Sequence, residues 1–523
     1  MAYEYAELPY RTPPPLRREE EGRRPVVIVG AGPIGLALAI DLALRGVATV
    51  LLDDNNKVSI GSRAICWSKR TLEIFDRLGV ADRMIEKGVT WKIGRTRHRD
   101  REIFNFDLLP EEGHKAPAFI NLQQYYVEEY LVERCADFPD LIDLRFLNRV
   151  TAIERHEDHA VATVETPDGE YRIEAEWLIA CDGAKSPARA MLGLDFAGEL
   201  FEERFLIADI VIEADFPPER WFWFEPTFHP GQSALLHKQP DNIYRIDLQL
   251  GWDADPEVER RPENVIPRIE KVVEGRPFTL DWVSVYTFQC RRLARFTHGP
   301  VIFAGDSAHV VSPFGARGGN GGIQDVDNLG WKLAAVIRGE APAALLDSYD
   351  EERCEAADEN IRNSSRATRF MSPDDGAERI FRDSVLALSA EARFARAMVN
   401  SGRLSLPCAY APGALTGPDD AALPERAAPG RVCPDAPDGE GWLLNRLGGE
   451  FALLGLNADP PGIEGAALLR LEAPDGSFLA RRYLGAAASA IYLIRPDQHV
   501  AARWRACDAG AARAALARAK GNR

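Results

Sequence analysis

The sequence predicts an α/β protein: a Rossmann-like βαβ unit near the N-terminus interleaved with a largely antiparallel β-sheet domain, then a small α/β unit at the C-terminus. Three observations predict it. The apolar run Val26–Val29 meets a glycine segment, Gly30 to Gly35 (GAGPIG), which opens a stretch of helical period. Between residues 201 and 289 the pattern changes to the period-two alternation of half-buried strands, as in Tyr244–Leu250 (YRIDLQL). A proline-dense stretch, 406–441, sets these apart from residues 442–519, where strand and helix patterns resume.

Taken in order, the first 24 residues carry Pro13, Pro14 and Pro15 followed by Arg17, Arg18 and Glu19 to Glu21. They lack the apolar run of a secretion signal and read as a flexible arm of a cytoplasmic protein. Val26–Val29 is a buried strand by length and β-branching, Leu36–Arg45 a helix closed by Gly46, and Val47–Leu52 a second parallel strand ending at Asp53 and Asp54. In such a unit the first glycine permits a tight turn, the second lets backbone approach a pyrophosphate, and the third lets helix pack on strand. The helix N-terminus then holds the negative charge. Gly30, Gly32, Pro33 and Gly35 are therefore expected at a dinucleotide, with Asp53 or Asp54 placed to accept ribose hydroxyls about twenty positions further on.

Trp177–Cys181 is another short buried strand, ending in Asp182 and Gly183, with Ser186 and Arg189 beyond. Downstream, Val301–Ala304 leads into Gly305 and Asp306. An amphipathic helix over 321–339 then carries Ile323, Val326, Leu329, Leu333 and Val336 on one side. This is a second helix N-terminus suited to phosphate. The pattern is helical from about Ser348 to Gly402 and reads as a wrapping linker through the prolines that follow. The resulting division is an arm (1–24), a discontinuous cofactor domain (25–90, 116–196 and 286–350), a sheet domain (91–115 and 197–285), a helical segment (351–402), a linker (403–441) and a C-terminal unit (442–523).

Composition excludes several classes. A formal charge of −17 over 523 residues disfavours nucleic acid and anionic membranes as partners. Eight cysteines show no CxxC or Cys/His spacing, so no metal site is expected. The longest early apolar stretch, Val26 to Ile40, is broken by glycines and a proline and is too short to span a bilayer.

GAGPIG with Asp53, then Gly61 to Ala64, Gln124 with Glu128 and Leu131, Cys181-Asp182-Gly183 with Arg189, and GDSAH with SPFGARGGNGG and DNLGWKLA follow one another in an order that resembles the p-hydroxybenzoate hydroxylase class of FAD-dependent aromatic monooxygenases. The tail, Tyr492 to Trp504 (YLIRPDQHVAARW), resembles the thioredoxin-like C-terminal domain of the phenol hydroxylase and 3-(3-hydroxyphenyl)propionate hydroxylase branch. The resemblance implies FAD as cofactor, with Asp306 accepting a ribityl hydroxyl and Gly305, Pro313, Gly318, Gly319 and Asn320 around the flavin. It also implies that Arg63 and Gln124 reach the cofactor, and that Asp182 and Gly183 belong to a motif shared between FAD and NAD(P)H. Two residues depart from the family pattern. Asp53 stands where glutamate is usual. Arg317 replaces a common glutamine, either to stabilise reduced flavin or to pair with a carboxylate.

The implied reaction uses NADH or NADPH to reduce FAD, and O2 to form a hydroperoxide at flavin C4a that hydroxylates a small phenolic substrate. The same scaffold could carry an epoxidase, a halogenase or a non-redox flavoprotein, but Trp221, Phe222 and Trp223 do not form the WxWxIP signature of halogenases. Candidates for the catalytic and substrate-facing residues are His229, His237, Tyr244, Arg245, Asp247, Gln289 and Pro313, with the aromatic run Trp221–Phe224 and Phe314. Arg245 and Asp247 share one face of a strand and Tyr244 takes the other, so they cannot all line one pocket. A homodimer is a further expectation from the resemblance.

Overall fold

The computed structural model describes residues 3–251, 253–373, 376–399, 406–439 and 441–522. The expected helical end at 400–402, and residues 403–405 and 440 of the expected linker, lie outside them. One eight-stranded sheet carries the βαβ unit. Arg24–Val29 pairs in parallel with Thr49–Leu52 on one side and Gly169–Ala180 on the other, and the latter pairs in parallel with Val301–Phe303. Strands far apart in sequence thus end side by side, which brings Gly30, Cys181 and Gly305 to one edge. The helix Pro33–Leu44 follows the first strand and packs on the helix Gly318–Ile337. That second helix begins three residues earlier than the periodicity indicates, because the glycines at 318 and 319 are already helical.

The second eight-stranded sheet runs in the order His309–Val310, Thr279–Leu293, Phe196–Val211, Ile243–Gln249, Ser233–Lys238, Arg220–Phe224, Ile93–His98, Arg101–Asp107. Its period-two sequence has a direct reading. Leu206, Ala208, Ile210, Trp223, Leu236, Tyr244 and Ile246 form one apolar cluster with Val265 and Ile269 of the helix Pro262–Val272. Phe205, Asp209, Phe222, Phe224, His237, Arg245 and Asp247 alternate with them and occupy the opposite face. This second face looks toward the loop that follows the βαβ unit: Arg245 donates to the carbonyls of Ser62 and Arg63.

The first residues make specific contacts. Leu8 N–H donates to Asn56 O, Gly61 N–H donates to the Tyr5 hydroxyl, and the Tyr3 ring lies 4.2 Å from that of Tyr125. At the other end, Ala452–Leu456 is parallel to Ala467–Leu471 and antiparallel to Ala490–Ile494, which pairs antiparallel with Val500–Trp504. Among the described residues no helix is long and apolar enough to cross a membrane.

Candidate active site

Two glycine segments separated by most of the cofactor domain meet around Ile34. A Cβ on Gly305 would approach Ile34 at 2.9 Å, and one on Gly322 would meet Ile34 at 2.5 Å and the Gly305 backbone at 3.1 Å. Gly30 has φ +105°, and a Cβ there would strike Cys181 O at 2.5 Å. A Cβ on Gly35 would lie 1.9 Å from Gly30 O. Both positions therefore demand glycine. Gly32 and Gly183 face open space instead. The helices opening at Pro33 and Gly318 have no side-chain cap at Gly32 or Arg317, so their N-terminal N–H groups are presented to the cleft. Asp306 is exposed to this cleft with its carboxylate open, and desolvation by the surrounding protein pushes its pKa up. Two helix N-termini, bare glycine backbone and an open carboxylate fit a dinucleotide: N–H groups for the pyrophosphate and an acceptor for a hydroxyl.

Beside the cradle, the loop carrying Pro313, Phe314 and Gly315 turns toward the second sheet. Phe106, Phe222, Phe224, Phe314, Phe370 and Met371 enclose an apolar pocket there, with about 490 Å³ of free space including its open mouth. Beyond Phe222 the same sheet face becomes polar. His237, Arg245, Asp247, Asp209 and Arg220 are all buried within it, and the buried Cys66 of the strand Cys66–Ser68 faces it.

The FAD binding domain family matches residues 23–364. The chain belongs to this family. It is similar to 3-(3-hydroxy-phenyl)propionate/3-hydroxycinnamic acid hydroxylase of Mycolicibacterium smegmatis, 29% identical over 463 residues, which cover 87% of this chain and 81% of that one. It is also similar to para-nitrophenol 4-monooxygenase of a Pseudomonas species, 30% identical over 395 residues, covering 73% of this chain and 94% of the other. The solved flavin-dependent monooxygenase PieE, in complex with FAD and substrate, shares the fold at a TM-score of 0.79 and 23% identity over 96% of this chain and all of that one. The protein is an FAD-dependent monooxygenase of the aromatic hydroxylase class.

Around the glycine cradle the sequence-derived residues divide by whether their polar atoms remain free. The Asp53 carboxylate accepts Ala31 N–H at 2.6 Å and Asn55 N–H at 2.9 Å, so it fixes the glycine turn. Desolvation raises its pKa to about 6. Asp54 is exposed beside it, and Arg63 is exposed on its loop. Gln124 begins a helix, but its amide accepts Ala64 N–H and donates to Ser59 and Glu128; it holds the loop that bears Arg63. Asp182 accepts the Ser186 hydroxyl at 2.6 Å and Ala188 N–H at 2.8 Å, capping a short helix, while Arg189 donates to Ser307 O and Ala184 O. Asn320 is bound on both amide atoms, to Ser68 N–H, Thr71, Cys66 O and Ala316 O. Arg317 donates to Asn360 at 2.9 Å. Gly318 lies beside Asp306, and Gly319 beside Trp67 and Ala64.

The catalytic candidates separate likewise. Arg245 binds Asp247 at 2.8 Å. His237 Nε2 lies 3.5 Å from the other Asp247 oxygen, and its Nδ1 lies 4.0 Å from Cys66 Sγ. Burial works against the charged form of Asp247, but Arg245 and His237 hold its pKa low; burial and then Arg220 press His237 down to about 4. Tyr244 lies in the opposite apolar cluster with its hydroxyl on Ala214 O. His229 Nε2 contacts Gln249 O in a loop outside the polar group. Gln289 is half-buried on the strand Thr279–Leu293, paired with Leu200. Sequence reasoning missed Arg220 and Asp209. Arg220 is 3% exposed, its Nε and Nη1 have no hydrogen-bond partner, and its guanidinium lies 5.0 Å from the Phe222 ring. A cation so buried with so few partners was signalled only by its place one pleat from Phe222.

Proposed function

We propose that this monooxygenase hydroxylates a small phenolic ring held in the Phe222–Phe314 pocket, with O2 as co-substrate and NADH or NADPH as electron donor. The observation that carries the reading is the junction of an apolar pocket with a buried polar group directly beside the FAD cradle. Bound FAD supplies the redox chemistry, taking up electrons and activating O2. The protein's residues bind, orient and exclude. The two helix N-termini and Asp306 hold the cofactor, and Phe106, Phe222, Phe224 and Met371 keep water from the reacting ring. Arg220 offers Nε–H and Nη1–H to an anionic oxygen of the substrate. His237, neutral at neutral pH with Nε2 3.5 Å from an Asp247 oxygen, adds an uncharged polar ring to this group.

The experiment is stopped-flow reduction of the flavin by NADH and NADPH, with and without a panel of phenols, followed by product analysis. A phenol that accelerates reduction and returns hydroxylated is the expected result. A flavin that neither nucleotide bleaches, or reduction without any hydroxylated product across the panel, overturns the reading.

The same reading keeps the division into arm, discontinuous cofactor domain, sheet domain, linker and thioredoxin-like C-terminal unit. Strands of the first sheet fall within 24–180 and 297–303, and those of the second mostly within 93–107 and 196–293. A parallel strand pair extended by two antiparallel strands and closed by the helix Ala509–Ala519 supports the thioredoxin-like assignment. A cytoplasmic homodimer remains part of the proposal. Exposed Ile380, Phe381, Leu388 and Phe394 supply an apolar face for a second copy, which sedimentation of Phe381→Glu against the parent chain tests.

A further inference from the structure

The C-terminal segment Tyr492–Trp504 touches neither the pocket nor the cradle, yet its Arg495 is buried beside the helix that opens at Gly318, the guanidinium 5.4 Å from the Trp331 ring. Arg495 binds Asp497 at 3.0 and 2.5 Å and Glu352 at 2.5 and 2.9 Å. Glu352 also accepts from Lys332 Nζ at 2.7 Å and Asn328 Nδ2 at 2.6 Å, both on the Gly318–Ile337 helix. The next residue, Arg353, donates to Asp325 Oδ1 at 2.6 Å, to Gly321 O at 3.1 Å and to the Tyr410 hydroxyl at 3.0 Å. The other Asp325 oxygen accepts the backbone N–H of Gly305 at 2.9 Å and faces His309 Nε2 at 2.8 Å. Tyr410 stacks on His499, 4.9 Å between ring centres.

Three acids (Asp325, Glu352, Asp497) and three cations (Lys332, Arg353, Arg495) thus close on one another; Glu352 is partly exposed and the other five are buried. Such a group is rigid for a physical reason: displacing any member leaves an opposite charge buried without its partner. One end of the group is the C-terminal unit. The other end is the N–H of Gly305, next to Asp306, and the carbonyl of Gly321, in the first turn of the helix that faces the cofactor. An apolar seam already joins the two regions, with Trp331 and Leu345 packed against Phe451, Leu453 and Ile491. Adhesion therefore did not require the ionic group.

We propose that Arg495 is a positioning residue for the FAD site. It holds Glu352, and through the adjoining Arg353–Asp325 pair it fixes the Gly305 turn and the Gly318 helix end in the orientation that presents Asp306 and the free N–H groups to FAD. The C-terminal unit is in this sense part of the cofactor site without touching the cofactor. The inference rests on FAD occupying the Gly30–Gly305 cradle.

The test uses the full chain and the dissociation constant of FAD from the apoprotein, read by quenching of flavin fluorescence, with circular dichroism confirming the fold. Arg495→Gln is expected to weaken FAD binding about tenfold, Arg495→Lys to recover part of that loss, and Tyr410→Phe to weaken binding a few-fold. Arg503→Gln is the control. Arg503 is equally buried in the same unit, but it binds Asp419 and the Pro424 carbonyl and not the helix pair, so FAD affinity should hold. Arg495→Gln and Tyr410→Phe proteins that are folded and bind FAD within twofold of the parent overturn the inference, as does equal weakening by Arg503→Gln. If Arg495→Gln does not fold, Tyr410→Phe against Arg503→Gln decides. A parent chain that binds no FAD fails the cofactor reading itself, whereas tight binding by every variant fails this inference alone.

Discussion

Replacing Asp209 by Asn should make the protein more stable at alkaline pH and flatten its pH dependence. Asp209 is 2% exposed on the strand Phe196–Val211, with the Gln239 amide 3.5 Å from its carboxylate. Arg245 attracts it but is bonded to Asp247. Desolvation therefore prevails and raises the Asp209 pKa from 3.8 to about 7. The folded state thus binds more protons than the unfolded chain between these values. This raised group stabilises fully below pH 3.8, and its contribution is lost as pH rises through 7. Three pKa units correspond to about 4 kcal/mol. Between pH 5 and 8 the change is about 2.5 kcal/mol, because part of the loss is already incurred by pH 5. Asn cannot ionise, so the stability gap in favour of Asp209→Asn should widen by that amount over the interval. Urea unfolding at pH 5, 6, 7 and 8, followed by tryptophan fluorescence, measures the gap directly. Asp53, raised to about 6, titrates in both proteins and cancels in the comparison. A gap that stays constant with pH would refute the argument, since it would mean that Asp209 is ionised throughout.

Three further outcomes follow from the geometry. Gly35→Ala places a Cβ 1.9 Å from the Gly30 carbonyl, a contact that only backbone movement can relieve, so the variant should purify without flavin absorbance; a parental flavin-to-protein ratio would contradict this. Arg245→Met leaves Asp247 and Asp209 buried without their cation and should cost about 3–5 kcal/mol of stability, with Arg245→Lys recovering part of it in the same unfolding assay. Phe222→Ala opens the pocket wall beside Arg220, and the ratio of peroxide released to nucleotide oxidised should rise several-fold; unchanged coupling would place the ring elsewhere.

The βαβ unit was legible because its signals are local. A β-branched run, three glycines at fixed spacing and a terminal acid lie within thirty residues; a Cβ at Gly30 or Gly35 would strike backbone, and Asp53 binds the glycine turn. The second half of the cradle was legible for the same reason at Gly305 and Gly318. The polar half of the pocket was not. Period-two alternation puts Arg220, Phe222 and Phe224 on one face and Trp221 and Trp223 on the other, but which face looks toward the cofactor depends on the helix Pro262–Val272 covering its opposite. The contacts of Tyr3, Tyr5 and Tyr10 were equally invisible, because isolated rings in a charged, proline-bearing segment show no period.

Motif residues posed a different difficulty. A motif marks a position that tolerates little change, and the constraint can come from the ligand or from the protein itself. Asp182 and Asp306 both stand at strand ends in the motif set, and desolvation by the surrounding protein raises the pKa of both. Yet Asp182 already accepts two hydrogen bonds that cap a helix, whereas Asp306 presents an open carboxylate to the cleft. Gln124 and Asn320 fall with Asp182: their amides brace the Ser59–Ala64 loop and the start of the Gly318 helix, and loss of either should disturb FAD through the loop or helix it holds. The difference between holding a ligand and holding the backbone that holds it lies in hydrogen-bond partners many residues away, and no spacing rule along the chain encodes those.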